Sequence, residues 1–314
     1  MGNQDIYIIG SGAIGKALAV FLKRKKKSVQ LVRGSVDHVP NQESLLTVVG
    51  KNDTFTERIT TTAFSNLSVV NGIVLVTTKT FANAQIAQKL SAVKGDFSIV
   101  LLQNGLNIER PFKNFNNVYR CVLFSTSQLM SNNEVRFKSV TASPIGNLEG
   151  KNEVLDDLIG QISSPQFEFR KEPNMIRYVW TKTIANCVFN TICPLLETDN
   201  GIFHRSKEAK NLAKEIVEEC VSVAALKEVF LDKNEIMENL LLISKKSDGQ
   251  LISTYVDILN KRPTEIESLN LEVAKIATDM GQPELVKNTG LLGHLILTKS
   301  METKAKQQGS NDKS

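Results

Sequence analysis

Residues 5–26, DIYIIGSGAIGKALAVFLKRKK, decide the fold. A short apolar run leads into a cluster of glycines and then into an apolar-periodic segment that closes on a run of cations. Gly10, Gly12 and Gly15 fit G-x-G-x-x-G in the strand-to-helix setting that gives this pattern its meaning. Gly10 permits the tight turn, Gly12 lets the backbone approach a pyrophosphate, and Gly15 lets the helix pack closely on the strand. The phosphates of a dinucleotide would then meet the amide groups at the helix start, with Ser11, Ala13 and Ile14 completing the turn. The run Lys23-Arg24-Lys25-Lys26-Lys27 reads as a solvated helix C-terminus, where the macrodipole favours cations, and not as a nucleic-acid surface.

Moving outward, SVQLVRGS predicts a second strand ending near Arg33. A site for NAD would place an acid there to hold the ribose hydroxyls. Arg33, with Ser35 close by, suits a 2′-phosphate instead, so the expected cofactor is NADPH. The segments SLLTVVG and TERITTT have hairpin character. GIVLVTT and FSIVLLQ then read as parallel strands, leading to Lys79 and to Asn104-Gly105 respectively. Ligands of open α/β sheets lie outside the carboxyl ends of the strands, which makes Lys79 and Asn104 candidates to line a cleft. Further strands are expected in NVYRCVLFSTSQLM, NEVRFKSV and TASPIG, then a helix near 154–162 and a last strand, QFEFR.

Beyond Pro173 the pattern turns helical. In EPNMIRYVWTKTIANCVFNTICPLLETDNG, residues 172–201, Lys182, Asn186 and Asn190 recur at i, i+4 and i+8 and so share one face of an otherwise apolar helix. Buried amides and ammonium groups need partners, since each one left unpaired costs roughly 1–3 kcal/mol. A second polar stripe, water or a ligand can supply them. Further helices are expected over 207–226, 233–243, 253–259, 264–280 and 285–301. The reading is therefore α/β: a Rossmann-like dinucleotide-binding domain over 1–173, an all-helical substrate domain over 174–303, and a disordered polar tail over 304–314.

Composition excludes several classes. The 314 residues suffice for two cores, and 41% hydrophobic with 23% charged residues is ordinary for a soluble protein. The formal charge of +5 is mild and not interleaved with aromatics. Cys121, Cys187, Cys193 and Cys220 lack metal-ligand spacing and read as reduced, packed thiols, so no metal site is expected. No apolar run reaches about 18 residues and no export signal precedes the first strand, which predicts a cytoplasmic protein without membrane or nucleic-acid partners.

Together these residues resemble the ketopantoate reductase family, enzymes that reduce 2-dehydropantoate to pantoate with NADPH. The likeness runs from IIGSGAIG through VTTKTF, LLQNGLN, WTKTIANCVFN and DNG to STYVDILNKRPTEIESLN. It implies Lys182 as the catalytic lysine, Asn104, Asn186, Asn190 and Asn200 as substrate-cleft asparagines, Ser253 as a substrate-binding serine and Glu265 as the glutamate of the site. It also implies Lys79 and Arg33 on the cofactor. The chain departs from the family pattern at Ala82, Thr254, Glu267, Leu271 and Pro283, which leaves the chemistry intact and bears on the choice of 2-keto acid.

The residue types support a role for Lys182 on their own. Hydride delivery to a ketone builds negative charge on its oxygen, which a protonated lysine can stabilise and then protonate. His38, His204 and His294 lie outside these motifs. Glu265, just after Pro263 and Thr264, is expected in the first turn of a helix. Three alternatives stay open: a reductase of another 2-keto acid, a related 3-hydroxy acid or glycerol-phosphate-type dehydrogenase, and a non-catalytic NADP-binding sensor. A homodimer through the helical domain is a further expectation.

Overall fold

The computed structural model describes residues 4–148 and 154–311. Contacts divide the chain into two compact units, Met1–Gln103 with Ile108–Met175 and Asn104–Asn107 with Ile176–Ser314.

The first unit is built on strands β1 (Asp5–Ile9), β2 (Val29–Arg33), β3 (Gln42–Val49), β4 (Thr54–Ala63), β5 (Gly72–Val76), β6 (Phe97–Leu101), β7 (Val118–Cys121), β8 (Ser125–Leu129), β9 (Glu134–Ser139), β10 (Ser143–Gly146) and β11 (Phe169–Lys171). Helices α1 (Ala13–Arg24), α2 (Asn83–Ser91) and α3 (Leu155–Ile162) connect them. All the described strands join one sheet in the order β11-β10-β7-β6-β5-β1-β2-β4-β3-β9-β8. β1 pairs in parallel with β2 and with β5. The chain first builds β2 and β4 on one side of β1, then crosses to β5 on the other, so the strand order reverses at the carboxyl ends of β1 and β5.

The central strands are continuous apolar runs because both of their faces are covered. Ile6 and Ile8 pack with Leu18, Phe21 and Leu22 of α1, while Tyr7 and Ile9 pack with Ile86 and Leu90 of α2. Each such side chain contributes roughly 1.5–3 kcal/mol on burial. The expected hairpin is β3 against β4, antiparallel, with Ser44 opposite Ile59.

The second unit holds α4 (Met175–Leu195), α5 (Ile202–Arg205), α6 (Lys207–Leu226), α7 (Lys233–Lys246), α8 (Ser253–Leu259), α9 (Asn270–Asp279) and α10 (Lys287–Asn311). Local chemistry sets the helix starts. The Ser206 side chain accepts from the Ala209 amide at α6, and the Asp232 side chain accepts from the Asn234 amide at α7. The expected class, α/β with a Rossmann-like first half and a helical second half, is the one the chain adopts.

Three expectations need correction. Residues 264–280 are not one helix, because a 3-10 turn over Ile266–Ser268 and a break at Leu269 (φ −109°, ψ −108°) precede α9. The physical reason is a competing donor: Leu106 N donates to Ser268 O at 2.9 Å, occupying a carbonyl that a continuous helix would need. Glu265 therefore precedes a 3-10 turn and does not sit in the first turn of an α-helix. Residues 283–286 likewise form a 3-10 turn headed by Pro283 before α10 begins. The backbone of α10 runs to Asn311, past the expected helix end at Met301 and into the segment read as a disordered tail. Residues 312–314 lie outside the described ones.

The glycine turn gives a stability test. A Cβ on Gly15 would run into the Gly10 carbonyl oxygen, whereas one on Gly12 would meet nothing within 4 Å. Gly15→Ala should cost about 1–3 kcal/mol of stability by overpacking, and Gly12→Ala no more than about 1 kcal/mol, the usual cost of alanine at a helix N-cap. Thermal unfolding of both variants checks this. Equal losses would mean that close helix–strand approach is not what requires the third glycine.

Candidate active site

In the first unit, Gly12 is the N-cap of α1 and makes no side-chain cap bond, and the first turn carries no acidic residue. Ser11 and Gly12 are exposed, with Ala13 and Ile14 half-buried behind them. Gly10 holds a left-handed φ of +118°, and a Cβ there would lie 2.7 Å from Thr77 Oγ1 and 2.8 Å from Thr78 N. The turn is thus closed on its protein side and open at Gly12. That is the fit a pyrophosphate requires, because backbone amides at a helix start accommodate an anion only where no side chain stands in front.

Arg33 is the last residue of β2, and its Nη2 donates to Gln42 Oε1 at 2.8 Å. Lys79 lies half-buried beyond the end of β5, at the start of a 3-10 turn over Thr80–Ala82. Nearby is a buried amide pair that sequence reasoning missed. Gln103 Nε2 donates to Asn83 Oδ1 at 2.6 Å and to Thr78 O at 2.9 Å. Asn83 Nδ2 donates back to Gln103 Oε1 and to Ile108 O, both at 3.0 Å. The exits of β5 and β6 are therefore fixed where Lys79 and Asn104 leave the sheet. The available signal was Gln103 itself, a polar residue directly ahead of Asn104-Gly105 at the end of an apolar run.

In the second unit, Lys182, Asn186 and Asn190 line one face of α4, Lys182 half-buried and both asparagines buried. Burial lowers the Lys182 ammonium below the ordinary lysine pKa. Asn190 Oδ1 accepts from Thr254 N at 3.3 Å and from Ser253 Oγ at 3.4 Å, which brings the start of α8 to this face. Asn200 is placed separately: its amide donates to Gln250 O at 2.9 Å and its carbonyl accepts from Ser244 Oγ at 2.7 Å. The Asn200 Oδ1 is buried and has no hydrogen-bond partner among the described residues. An acceptor in that state costs roughly 1–3 kcal/mol until a donor reaches it.

Asn104 opens the Asn104–Asn107 segment. Gly105 has φ +105°, and a Cβ there would approach Ser268 O to 2.5 Å, so the segment lies tight against the turn after Glu265. Asn107 Nδ2 donates to Glu272 Oε1 at 2.7 Å, anchoring its far end. Ser268 N and Oγ both donate to Glu265 O, at 3.1 and 3.0 Å, which fixes the backbone beside the half-buried glutamate. The structure thus groups Asn190 with Ser253 and the Asn104 turn with the Glu265 stretch.

The histidines and cysteines have other roles. His204 Nδ1 is 3.3 Å from Ser244 Oγ and its Nε2 3.7 Å from Asp248, while the His38 amide bonds Ser65 Oγ. All four cysteines are buried without a disulfide, and burial pushes Cys121, Cys187 and Cys193 up, away from the reactive thiolate. Among the described residues no helix is long and apolar enough to cross a membrane.

The chain is 24% identical over 278 residues to the 2-dehydropantoate 2-reductase of Pyrococcus horikoshii, covering 87% of this chain and 91% of that protein. Among solved structures, D-mandelate dehydrogenase in a ternary complex with NADH and anilino(oxo)acetate superposes with a TM-score of 0.84 at 20% identity, over 95% of this chain and 99% of that one. Dimeric ketopantoate reductase from Staphylococcus aureus superposes with a TM-score of 0.77 at 18% identity, with the same coverage of 95% and 99%. The family model described as ketopantoate reductase PanE/ApbA matches residues 6–150, and its C-terminal counterpart matches residues 174–295. With both halves matched in order, and with the glycine turn and the α4 polar face lying within them, the chain belongs to the ketopantoate reductase family.

Proposed function

We propose that the protein reduces a 2-keto acid with NADPH, and that 2-dehydropantoate is the substrate and pantoate the product, in the cytoplasmic synthesis of pantothenate. The observation that carries this is the desolvated cation Lys182 on the same helix face as Asn186 and Asn190. When bound, the dinucleotide supplies the hydride. The first unit offers Gly10, Ser11, Gly12, Ala13, Ile14 and Gly15 to its phosphates, Arg33 to the 2′-phosphate and Lys79 to its remaining polar groups, and Asn104 is assigned to the cofactor as well.

On the substrate side, Lys182 carries the proton that the carbonyl oxygen takes up as hydride arrives at carbon. Its charge opposes the charge that develops there, and it is worth most where water is excluded. Asn186, Asn190, Asn200 and Ser253 are neutral donors and acceptors that orient a hydroxylated carboxylic acid, with the unpaired Asn200 Oδ1 suited to a hydroxyl donor. Glu265 accepts a hydrogen bond from the substrate hydroxyl. The dimeric state named for the Staphylococcus aureus structure, with Leu291, Leu295 and Met301 exposed along α10, supports a homodimer through the helical unit.

The decisive experiment follows NADPH oxidation against a panel of 2-keto acids that includes ketopantoate and an aromatic member. Ketopantoate should give the highest kcat/KM. Preference for another acid would move the substrate assignment, and no oxidation with any of them would overturn the reductase reading.

Lys182→Ala should fold and bind NADPH but lose kcat by about 10²–10⁴, the scale of a missing general acid. In the wild type, kcat should fall on the alkaline side, since the protonated amine is required. The midpoint should lie below the ordinary lysine value of 10.5, because burial favours the neutral form. A flat alkaline limb in the wild type, or full turnover in the variant, would assign the proton elsewhere.

For Glu265 the expected signature is selectivity. A carboxylate that receives a substrate hydroxyl loses that hydrogen bond with an analogue lacking it. Glu265→Ala should therefore reduce kcat/KM for ketopantoate far more than for 2-ketoisovalerate, and equal losses on the two substrates would reassign Glu265 to architecture.

A further inference from the structure

The loop between β2 and β3 distributes its charges unevenly. Its one acid, Asp37, is engaged: Lys89 Nζ lies 2.5 Å from Asp37 Oδ2, and the Ser65 amide donates to Oδ1 at 3.3 Å. Lys89 also stands 5.4 Å from the centre of the Phe64 ring and 3.4 Å from Gly34 O, so the pair is held at several points. The hydrogen bond from Lys89 keeps the Asp37 carboxyl below its ordinary range, consistent with a carboxylate committed to that ammonium. The next acid, Glu43, pairs with Arg58 at 3.6 Å, and strand alternation turns its side chain to the face opposite Gln42.

Arg33 is treated differently. β4 lies between β2 and β3, with Arg33 level with Ala63 and Gln42 level with Thr61. The Arg33–Gln42 bond at 2.8 Å therefore runs across the end of β4. The approach to Gln42 is fixed as well. Asn41 Oδ1 accepts from Thr62 Oγ1 at 2.7 Å and from Asn66 Nδ2 at 3.1 Å, and Asn66 Nδ2 donates to Val39 O at 2.9 Å. The guanidinium is thus held by a neutral amide on a braced strand end. A carboxylate at the same place would hold it more tightly and would neutralise its charge.

Building on the NADPH reading, we infer that Gln42 is a specificity-determining residue for the cofactor: its neutral oxygen positions Arg33 while leaving the cationic charge for a 2′-phosphate. Guanidinium–phosphate bonds are charge-assisted, and their strength depends on that charge not being already satisfied. Glutamate at this position keeps size and reach but changes the charge, which separates the electrostatic role from packing.

The test is fluorescence titration of NADPH and NADH on the full-length protein and on Gln42→Glu, Gln42→Leu and Arg33→Ala, with thermal midpoints as a fold control. The NADPH-to-NADH affinity ratio should fall by about tenfold in Gln42→Glu and by about threefold in Gln42→Leu, and collapse in Arg33→Ala. A collapsed ratio in Arg33→Ala with an unchanged ratio in Gln42→Glu would overturn the role of Gln42 and leave the NADPH reading standing. An unchanged ratio in Arg33→Ala would remove that reading and this inference with it.

Discussion

The Thr77 hydroxyl sits where the strand order reverses, and the dinucleotide side of the molecule depends on what it fixes. Its Oγ1 lies 3.1 Å from the carbonyl oxygens of both Ile9 and Gly10, beside a main-chain bond from Thr77 N to Ile9 O at 2.8 Å. This ties the ends of β1 and β5 together and leaves no room for a side chain on Gly10. The Gly10 carbonyl in turn fills the place that a Cβ on residue 15 would need. The chain can therefore leave β1 only through a positive φ and enter α1 only with a bare backbone. Once those two positions are spent on packing, Gly12 remains as the glycine with open space before it. The three glycines of the motif are thus two steric requirements and one opening.

The second unit is organised by amides. Asn190 reaches the start of α8, Asn270 Nδ2 donates to Cys187 O and Thr289 O at 3.2 and 3.4 Å, and the Asn104–Asn107 segment is received by the turn after Glu265. Pro194 adds to this inside α4, because it has no N–H to return to the Asn190 carbonyl. The Asn190 carbonyl therefore has no i+4 amide to accept from, while its side chain bonds to the start of α8. Amides suit such a role: they donate and accept without charge, so they define positions while adding little field of their own.

What the sequence revealed follows the range of the forces involved. The apolar runs of β1, β5 and β6 are legible because both faces of each strand are buried, and the starts of α6 and α7 because Ser206 and Asp232 cap them locally. The period of Lys182, Asn186 and Asn190 is likewise a property of a single helix. The break at Leu269 was hidden, since the donor competing for Ser268 O comes from Leu106, far away in the chain. The same holds for the Asn83–Gln103 pair and for the bond between Asn190 and Ser253, 63 residues apart. Periodicity assigns residues to faces; only the folded chain brings one face to another. The resemblance to a family nominated Asn200, Ser253 and Glu265, and of these Ser253 is the one whose printed hydrogen bond reaches α4, at Asn190.

Burial acts on Lys182 in two opposing ways. Desolvation makes the ammonium less favourable in the resting protein, which is why its pKa is lowered and why, as an isolated feature, it works against stability at any pH where the group stays protonated. The same loss of water raises the worth of that charge once an opposite one develops beside it, since Coulomb energies grow as the effective dielectric falls. A solvated lysine at this place would keep a pKa nearer the ordinary lysine value. The asparagines along the same face are neutral, so they satisfy polar neighbours without themselves raising the Lys182 pKa. For the proton-donor role proposed for Lys182, a face of one cation among amides adds no negative charge of its own to compete with a developing oxyanion.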